Sequence, residues 1–450
     1  MRLRLAALIA AALALAIAPG AAAKPKPTKV TGPVVPMIFV HGQSGSAQQF
    51  QANAMRFASN GFPKNRIFAY EYNTAIGNND AAIAGLDGFI ASVKAQTGAE
   101  QVDVLAHSRG TTVMHSYLGD PARAASVRRY VNYDGRSSAS PPGGVPTMAI
   151  WGEGDQTRAI GGATNVYFPN KAHTEVTTSS AAFVPVYRFL RGRKPRHRIV
   201  VPEPPGKVTV AGRAVEFPNN TGLEGERFEA WVVDRATGQR ISDGPVYSTT
   251  LPASGDWGPF KVDPRKRYEF AVIREGQVTI HNYPEPFERD DHLYRVNDAQ
   301  VLRPFLDSGP NSGIVVVLRM REWWGDQPTA QGNDSLTVGG LQVINPAIAP
   351  RLRRILAVFN FDDGLDGQSD TSAALPPFSA VPFLTAVDNY IPASPGATGT
   401  IAVREVMRGA KRHTKALNIP DWPSSEGVST VHFREYPARK WRAKKKRRGK

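Results

Sequence analysis

Val102-Asp103-Val104-Leu105-Ala106-His107-Ser108-Arg109-Gly110 is the stretch whose reading decides the fold. An apolar strand-like run ends in Ala-His-Ser-Arg-Gly, a one-substitution form of the G-x-S-x-G nucleophile elbow. That motif is a tight strand-to-helix turn that lifts a serine hydroxyl above the edge of an α/β sheet. Small residues are needed two before and two after the serine, because the turn brings those positions together. Ala106 and Gly110 meet this need. The pentapeptide implies a serine nucleophile, and the rest of the chain can be searched for its partners.

Working outward, strand and helix signals alternate on both sides of the elbow. Val34–Val40 reads as a short buried strand ending at His41-Gly42. Residues 48–60 read as a helix, 66–70 as a strand and 81–96 as a helix. After the elbow come a helix from Gly110 to about Leu118, strands over 127–133 and 147–151, and a closing helix over 181–190. Such alternation predicts a parallel, doubly wound sheet. It stops near Arg191. Residues 191–206 mix Pro195, Pro202, Pro204, Pro205 and Gly206 with charges and read as an interdomain linker. Beyond it, short β-type runs recur at 208–215, 228–233, 268–273, 278–282, 314–320 and 355–361 between Gly, Pro and Asp turns. The expectation is an α/β-hydrolase domain over 34–190 and a β-rich domain, sandwich or barrel and divisible into two halves, over 207–437.

The ends of the chain have their own chemistry. Arg2 and Arg4, the apolar run Leu5–Ala18 and Ala21-Ala22-Ala23 make residues 1–23 read as a secretory signal, followed by a Lys/Pro linker over 24–33. The run is short for a membrane span, which takes about 20 residues. The protein is therefore expected to be secreted. It has no cysteine, which excludes disulfides, thiol catalysis and thiolate metal sites. The net charge is +16, and nine Lys and Arg lie between Arg439 and Lys450. This basic tail, residues 438–450, reads first as a solvated segment. Its functional reading is attachment to an anionic lipid or cell-wall surface. Nucleic acid is not an expected partner of an exported hydrolase.

A serine hydroxyl needs a base to take its proton. Chain order in this fold runs serine, acid, histidine. His173, in the loop before the closing helix, stands where the base belongs, whereas His115 reads as a packed helix residue. Two carboxylates compete to orient it: Asp134, after the 127–133 strand, and Asp155, after the 147–151 strand. Spacing leaves both open. The oxyanion hole calls for the backbone N–H of Arg109, after the nucleophile, and of Gln43, after the first strand. His41 reads as structural, and the side chain of His107 as pointing away from the serine. The acidic stretch holding Asp362, Asp363, Asp366 and Asp370 is a weak Ca²⁺ candidate without EF-hand spacing, and reads rather as a solvated turn. No cofactor is required.

On these residues the chain resembles secreted α/β-hydrolase lipases that join a Ser-Asp-His triad domain to a C-terminal β-rich, lipid-binding domain. The resemblance runs through residues 39–47, Met55-Arg56-Phe57-Ala58 with Asn60-Gly61, the elbow, and Thr164-Asn165-Val166-Tyr167-Phe168 on to His173. It continues at His281-Asn282-Tyr283 and over residues 286–291. It implies Ser108 as nucleophile, His173 as base and, as acid, the residue after the strand ending in Asp-Gly, which is Asp134. It implies a lipase or esterase acting on acylglycerol-like or other lipophilic esters. One departure stands out: only residues 73–99 separate the third element from the elbow strand, too few for a helical lid. A more open site follows as an expectation, with Phe62, Ile76, Trp151 and faces of the second domain offering apolar contact. Two rivals remain: an extracellular polyester-degrading esterase, and a surface-binding protein whose hydrolase domain is vestigial.

Overall fold

The computed structural model describes residues 34–324, 334–408 and 414–435. The signal-like segment 1–23, the linker 24–33 and the basic tail 438–450 lie outside the described residues. No helix among those described is long and apolar enough to cross a membrane.

The first part is a six-stranded parallel sheet with helices on both faces. Its elements are β1 (Met37–Val40), α1 (Gln51–Ser59), β2 (Ile67–Tyr70), α2 (Asp80–Thr97), β3 (Val102–His107), α3 (Arg109–Leu118), α4 (Pro121–Ala125), β4 (Val127–Tyr133), β5 (Thr147–Trp151), β6 (Thr164–Tyr167), α5 (Glu175–Thr178) and α6 (Ser180–Arg191). The strand order is β2-β1-β3-β4-β5-β6, with every pair parallel. Side chains alternate across it. Ile38, Val40, Val104, Ala106 and Tyr130 pack under α2 and α3. Met37, Phe39, Leu105, Val131 and Ile150 pack under α1 and α6. Near-continuous apolar strands are what a sheet covered on both faces requires. The chain leaves β1 toward β2 and returns on the other side of β1 as β3. The loops after β1 and β3 therefore diverge at the topological switch point, where sites in such sheets form.

Arg191 closes α6, and residues 192–206 carry no helix or strand, yet they are bound to the first part. His197 and Asn60 exchange hydrogen bonds at 2.7 and 2.9 Å, and Val200 packs on Ala52 and Met55. All described residues from Val34 onward form one compact unit.

The β-rich part holds β7 (Thr209–Glu216), β8 (Arg227–Val233), β9 (Tyr247–Thr250), β10 (Asp256–Lys261), β11 (Arg267–Ile273), β12 (Thr279–Pro284) and β13 (Asp291–Asp298). It continues with β14 (Ile314–Arg319), β15 (Ser335–Val338), β16 (Leu341–Gln342), β17 (Ala357–Phe361), β18 (Leu384–Asp388), β19 (Thr400–Val406), β20 (Thr414–Pro420) and β21 (Gly427–Phe433). Three sheets result, ordered β10-β7-β13, β18-β17-β14-β21-β12-β11-β8-β9 and β16-β15-β19-β20. These are stacked layers rather than a barrel. β21 inserts between β12 and β14, parallel to both, and joins the two halves of the region in one sheet.

Alternation along β14 decides the site's surroundings. Val315 and Val317 face the core shared with the four-stranded sheet. Ile314, Val316 and, at its margin, Leu318 belong to the opposite cluster, with Ala357 and Phe359 of β17. Val316, Leu318, Ala357 and Phe359 reach on to line the cavity at Ser108.

Candidate active site

Ser108 sits at the turn between β3 and α3 with φ 52° and ψ −123°, a conformation that a non-glycine residue adopts only where the surrounding structure imposes it. The elbow is enforced by contact. A Cβ on Gly110 would lie 2.5 Å from the carbonyl oxygen of His41 and 2.7 Å from that of Val40. A Cβ on Gly42 would lie 2.9 Å from the Ser108 Cβ. The loop after β1 therefore runs directly against the serine, and only glycine fits at these two positions.

His173 lies in the loop leading to α5 and is buried. Its Nδ1 is 2.6 Å from Asp134 Oδ2. A carboxylate accepts, so Nδ1 carries the proton and Nε2 presents a lone pair. Nε2 has no hydrogen-bond partner among the described residues. His173 and Ser108 line the same cavity, of about 120 Å³. Asp134 follows β4 at φ 44°. Its Oδ1 accepts from the Gly152 N–H at 2.7 Å and from Arg158 Nη2 at 2.6 Å. Burial would raise this carboxyl, but the hydrogen bond and charge of His173, with the Gly152 N–H and Arg158, hold it down at about 2. The structure thus brings together Ser108, His173 and Asp134. Asp155 is excluded from that group: it is exposed, and its carboxylate caps Thr157 and meets Arg158 Nε at 3.2 Å.

The residues expected to supply the oxyanion donors lie in the loop after β1 and at the start of α3. Arg109 opens α3, so its amide has no acceptor within the helix. No backbone partner for the Gln43 N–H is found among the described residues. Their side chains are joined, Arg109 Nη1 donating to Gln43 Oε1 at 2.6 Å. The same guanidinium donates to the carbonyls of Thr74, Ile76 and Asn78 and to Asn79 Oδ1, pinning the loop before α2.

His41 is structural, as expected. Its Nδ1–H donates to the Gly42 carbonyl, Nε2 accepts from the Tyr72 N–H, and burial pushes its pKa down to about 4. His115 packs edge-on against Tyr130. His107 has both ring nitrogens engaged away from the Ser108 hydroxyl. Its ring lies 4.5 Å from that of His173. Nε2 donates to the His173 carbonyl at 2.9 Å, so Nδ1 accepts from Gln49 Nε2 at 2.6 Å. Both nitrogens are committed, and burial keeps the ring neutral. His107 therefore holds the loop of His173 and has no free ring nitrogen to act as a base.

The open site is also corrected. No helical lid is present among the described residues, but the β-rich part covers the serine instead. Val316 and Leu318 of β14, Phe359 of β17, Leu384 of β18 and Val428 of β21 wall the cavity. Phe383, at φ 71°, stacks over His173 at 6.5 Å. Phe62 and Trp151 are buried in the cores of the first part, and Ile76 is exposed away from the cavity. Sequence reading had no means of assigning this cover, since the unbroken run Ile314–Leu318 signals burial on both faces without naming the partner. It also missed Glu153 and Arg354, an ion pair at 2.6 Å joining the loop after β5 to the β-rich part.

The Ca²⁺ candidate does not assemble. Asp362 accepts from Gly367 N–H, Asp366 from Gln368 and Asp370 from Ser372, each occupied by its own turn. Among the described residues, the group whose ligand atoms do converge is Asp134, Glu153 and His173, already engaged as above.

Residues 34–119 match the family described as lipase (class 2), and residues 206–301 the lipase C-terminal domain. Residues 301–437 match a further C-terminal-domain family. Together these matches support a two-domain lipase architecture and a hydrolase of the lipase or esterase kind. Solved structures with similarity include the product of gene lin2722 of Listeria innocua, at 15% identity over 36% of this chain and 96% of that one, TM-score 0.29. Lipase B of Aspergillus fumigatus is 12% identical over 36% of this chain and 54% of its own, TM-score 0.30. Carboxylesterase CesB of Bacillus subtilis is 13% identical over 35% and 85%, TM-score 0.27.

Proposed function

We propose that the protein is a secreted carboxylic-ester hydrolase that cleaves lipophilic, acylglycerol-like esters through an acyl-enzyme on Ser108. The observation that carries this reading is the imidazole of His173, protonated at Nδ1 against Asp134 and bare at Nε2 in the cavity that Ser108 lines.

His173 Nε2 takes the hydroxyl proton as Ser108 Oγ attacks the ester carbonyl carbon. The backbone N–H groups of Gln43 and Arg109 hold the resulting oxyanion, and losing one such donor costs roughly 10²–10³ in rate. As the tetrahedral intermediate collapses, the carbon–oxygen bond to the alcohol breaks and His173 returns the proton to the leaving oxygen. Water then repeats the sequence on the acyl-enzyme and releases the acid. Asp134 keeps the imidazole in the required tautomer throughout.

The substrate class follows from the wall. Valine, leucine and phenylalanine side chains of β14, β17 and β21 suit an acyl chain. Asn220, Asn297, Asp298 and Arg303 interrupt the wall with polar groups that suit a hydroxylated or charged portion. A covered cavity favours separate ester molecules over a solid polyester. Secretion rests on residues 1–23, and attachment to an anionic lipid or cell-wall surface on the basic tail. Hydrolysis of p-nitrophenyl esters from C2 to C16 tests the reading. Activity is expected for wild type and loss of it for Ser108→Ala; wild-type turnover by Ser108→Ala would refute it.

A further inference from the structure

Among the carboxylates near His173, most have a cationic partner. Asp134 meets Arg158 at 2.6 Å, Glu153 meets Arg354 at 2.6 Å, and Glu175 meets Lys171 at 2.8 Å and Arg408 at 2.9 Å. Glu322 differs. It is fully buried in the segment after β14 and forms no ion pair among the described residues. Its carboxylate accepts two backbone N–H groups from the first part of the molecule, those of Thr174 and Glu175, the second at 3.1 Å. These are the two residues that follow His173 in the chain.

Glu322 is itself held firmly. Its carbonyl accepts from Arg319 Nη2 at 2.8 Å and Arg408 Nη1 at 3.0 Å. Trp323 and Trp324 beside it are buried under the guanidiniums of Arg319, Arg351 and Arg408. A buried carboxylate with no cation in direct contact is costly, and two amide dipoles, with the more distant Arg354, offset that cost in part. Burial pushes its carboxyl above the ordinary range, while the Thr174 N–H and the nearby His173 pull it back. During catalysis a positive charge appears beside it, when His173 takes the serine proton. A fixed charge aimed at a site where the opposite charge develops lowers the barrier without reorganisation.

We propose that Glu322, supplied by the β-rich region, is a positioning residue that fixes the His173 loop and whose negative charge is countered when His173 becomes an imidazolium. The inference rests on the proposed roles of Ser108 and His173. The charged and titratable groups facing that imidazole are Asp134 after β4, Glu153 and Arg158 after β5, His107 of β3, and Glu322 and Arg354 of the β-rich part.

The test is the pH dependence of kcat and kcat/KM for p-nitrophenyl butyrate in full-length wild type and Glu322→Gln. Loss of the charge is expected to lower kcat by about tenfold or more, with KM little changed. It is also expected to move the acid limb of kcat/KM to lower pH by about half a unit or more. An acid limb that stays in place, whatever happens to kcat, overturns the inference, because a structural role alone would not move it. Glu322→Met, of similar length and uncharged, serves if the glutamine variant does not fold, with the same two outcomes. Failure of both to fold makes the residue structural and also overturns it. Covalent labelling by a fluorophosphonate separates the two levels. A wild type that is neither labelled nor active refutes the triad reading, whereas a labelled, active wild type with an unshifted variant refutes the role of Glu322 alone.

Discussion

Replacing Asp134 with asparagine should remove most of the activity, and the reason can be followed proton by proton. Asp134 Oδ1 accepts from the Gly152 N–H and from Arg158, at 2.7 and 2.6 Å. An asparagine must keep its carbonyl oxygen toward those two donors, which turns its NH₂ toward His173 Nδ1. Two donors then oppose each other at a separation that is 2.6 Å in wild type. The clash is relieved when the ring proton moves to Nε2, the nitrogen that has to accept from Ser108. The expected loss is about 10⁴-fold in kcat, of the kind seen when a triad histidine is held in the wrong tautomer. That corresponds to roughly 5 kcal/mol of transition-state stabilisation. Asp155→Asn is the control: it removes an exposed interaction with Arg158 and should change kcat/KM by about threefold at most. Both variants are assayed on p-nitrophenyl butyrate at pH 8, with thermal melting to confirm folding. A folded Asp134→Asn protein within tenfold of wild type, or a larger loss for Asp155→Asn, would refute the reasoning.

Other consequences follow from the same geometry. Gly110→Ala places a methyl group against two backbone carbonyls at 2.5 and 2.7 Å, so kcat/KM should fall by about 10²-fold or more; near-normal kinetics would mean that the elbow is not confined as described. Val428→Trp fills part of the apolar wall, and the ratio of palmitate to butyrate ester hydrolysis should drop about tenfold or more; an unchanged ratio would place the acyl chain elsewhere. Stability should decline as pH falls from 7 to 4. Burial pushes His41 and His115 down to about 4 and His432 to about 3. Their stabilising contribution is full above the ordinary value of 6.5 and is lost as pH falls toward those folded values. Glu71, buried between Arg295 and Arg213 and held at about 2, adds a loss below its ordinary 4.5. Asp291, pushed up to about 6, acts in the opposite direction. A melting temperature that rises from pH 7 to pH 4 would contradict this balance.

The first part of the fold was legible because each of its strong signals is local. The runs that became β1 and β5 are almost wholly apolar, those of β3 and β4 carry an apolar or aromatic majority, and the serine turn has a chemical signature. The strand Thr164–Tyr167 escaped as an element because it is short, polar and at the sheet's edge. Polar strands such as Tyr247–Thr250 and Thr400–Val406 escaped for a related reason, since one face of each meets solvent. The insertion of β21 between β12 and β14 leaves no local mark, because parallel pairing across such a separation depends on the whole chain. Order and spacing single out Ser108 and His173, which the structure brings to one cavity. They do not choose between Asp134 and Asp155, since both follow neighbouring strands and reach is set by the turn each occupies. The cover over the site was misjudged by counting residues before the elbow, while the covering strands β14, β17, β18 and β21 lie more than a hundred residues beyond His173 in the chain.

The central claim is that Ser108 is an activated nucleophile. The most direct measurement is mass-spectrometric mapping of the purified protein after reaction with a fluorophosphonate. A single phosphonyl adduct on Ser108 is predicted, absent in Ser108→Ala and formed far more slowly in His173→Ala. A wild-type protein that remains unmodified, or an adduct on another residue that persists in Ser108→Ala, would contradict it.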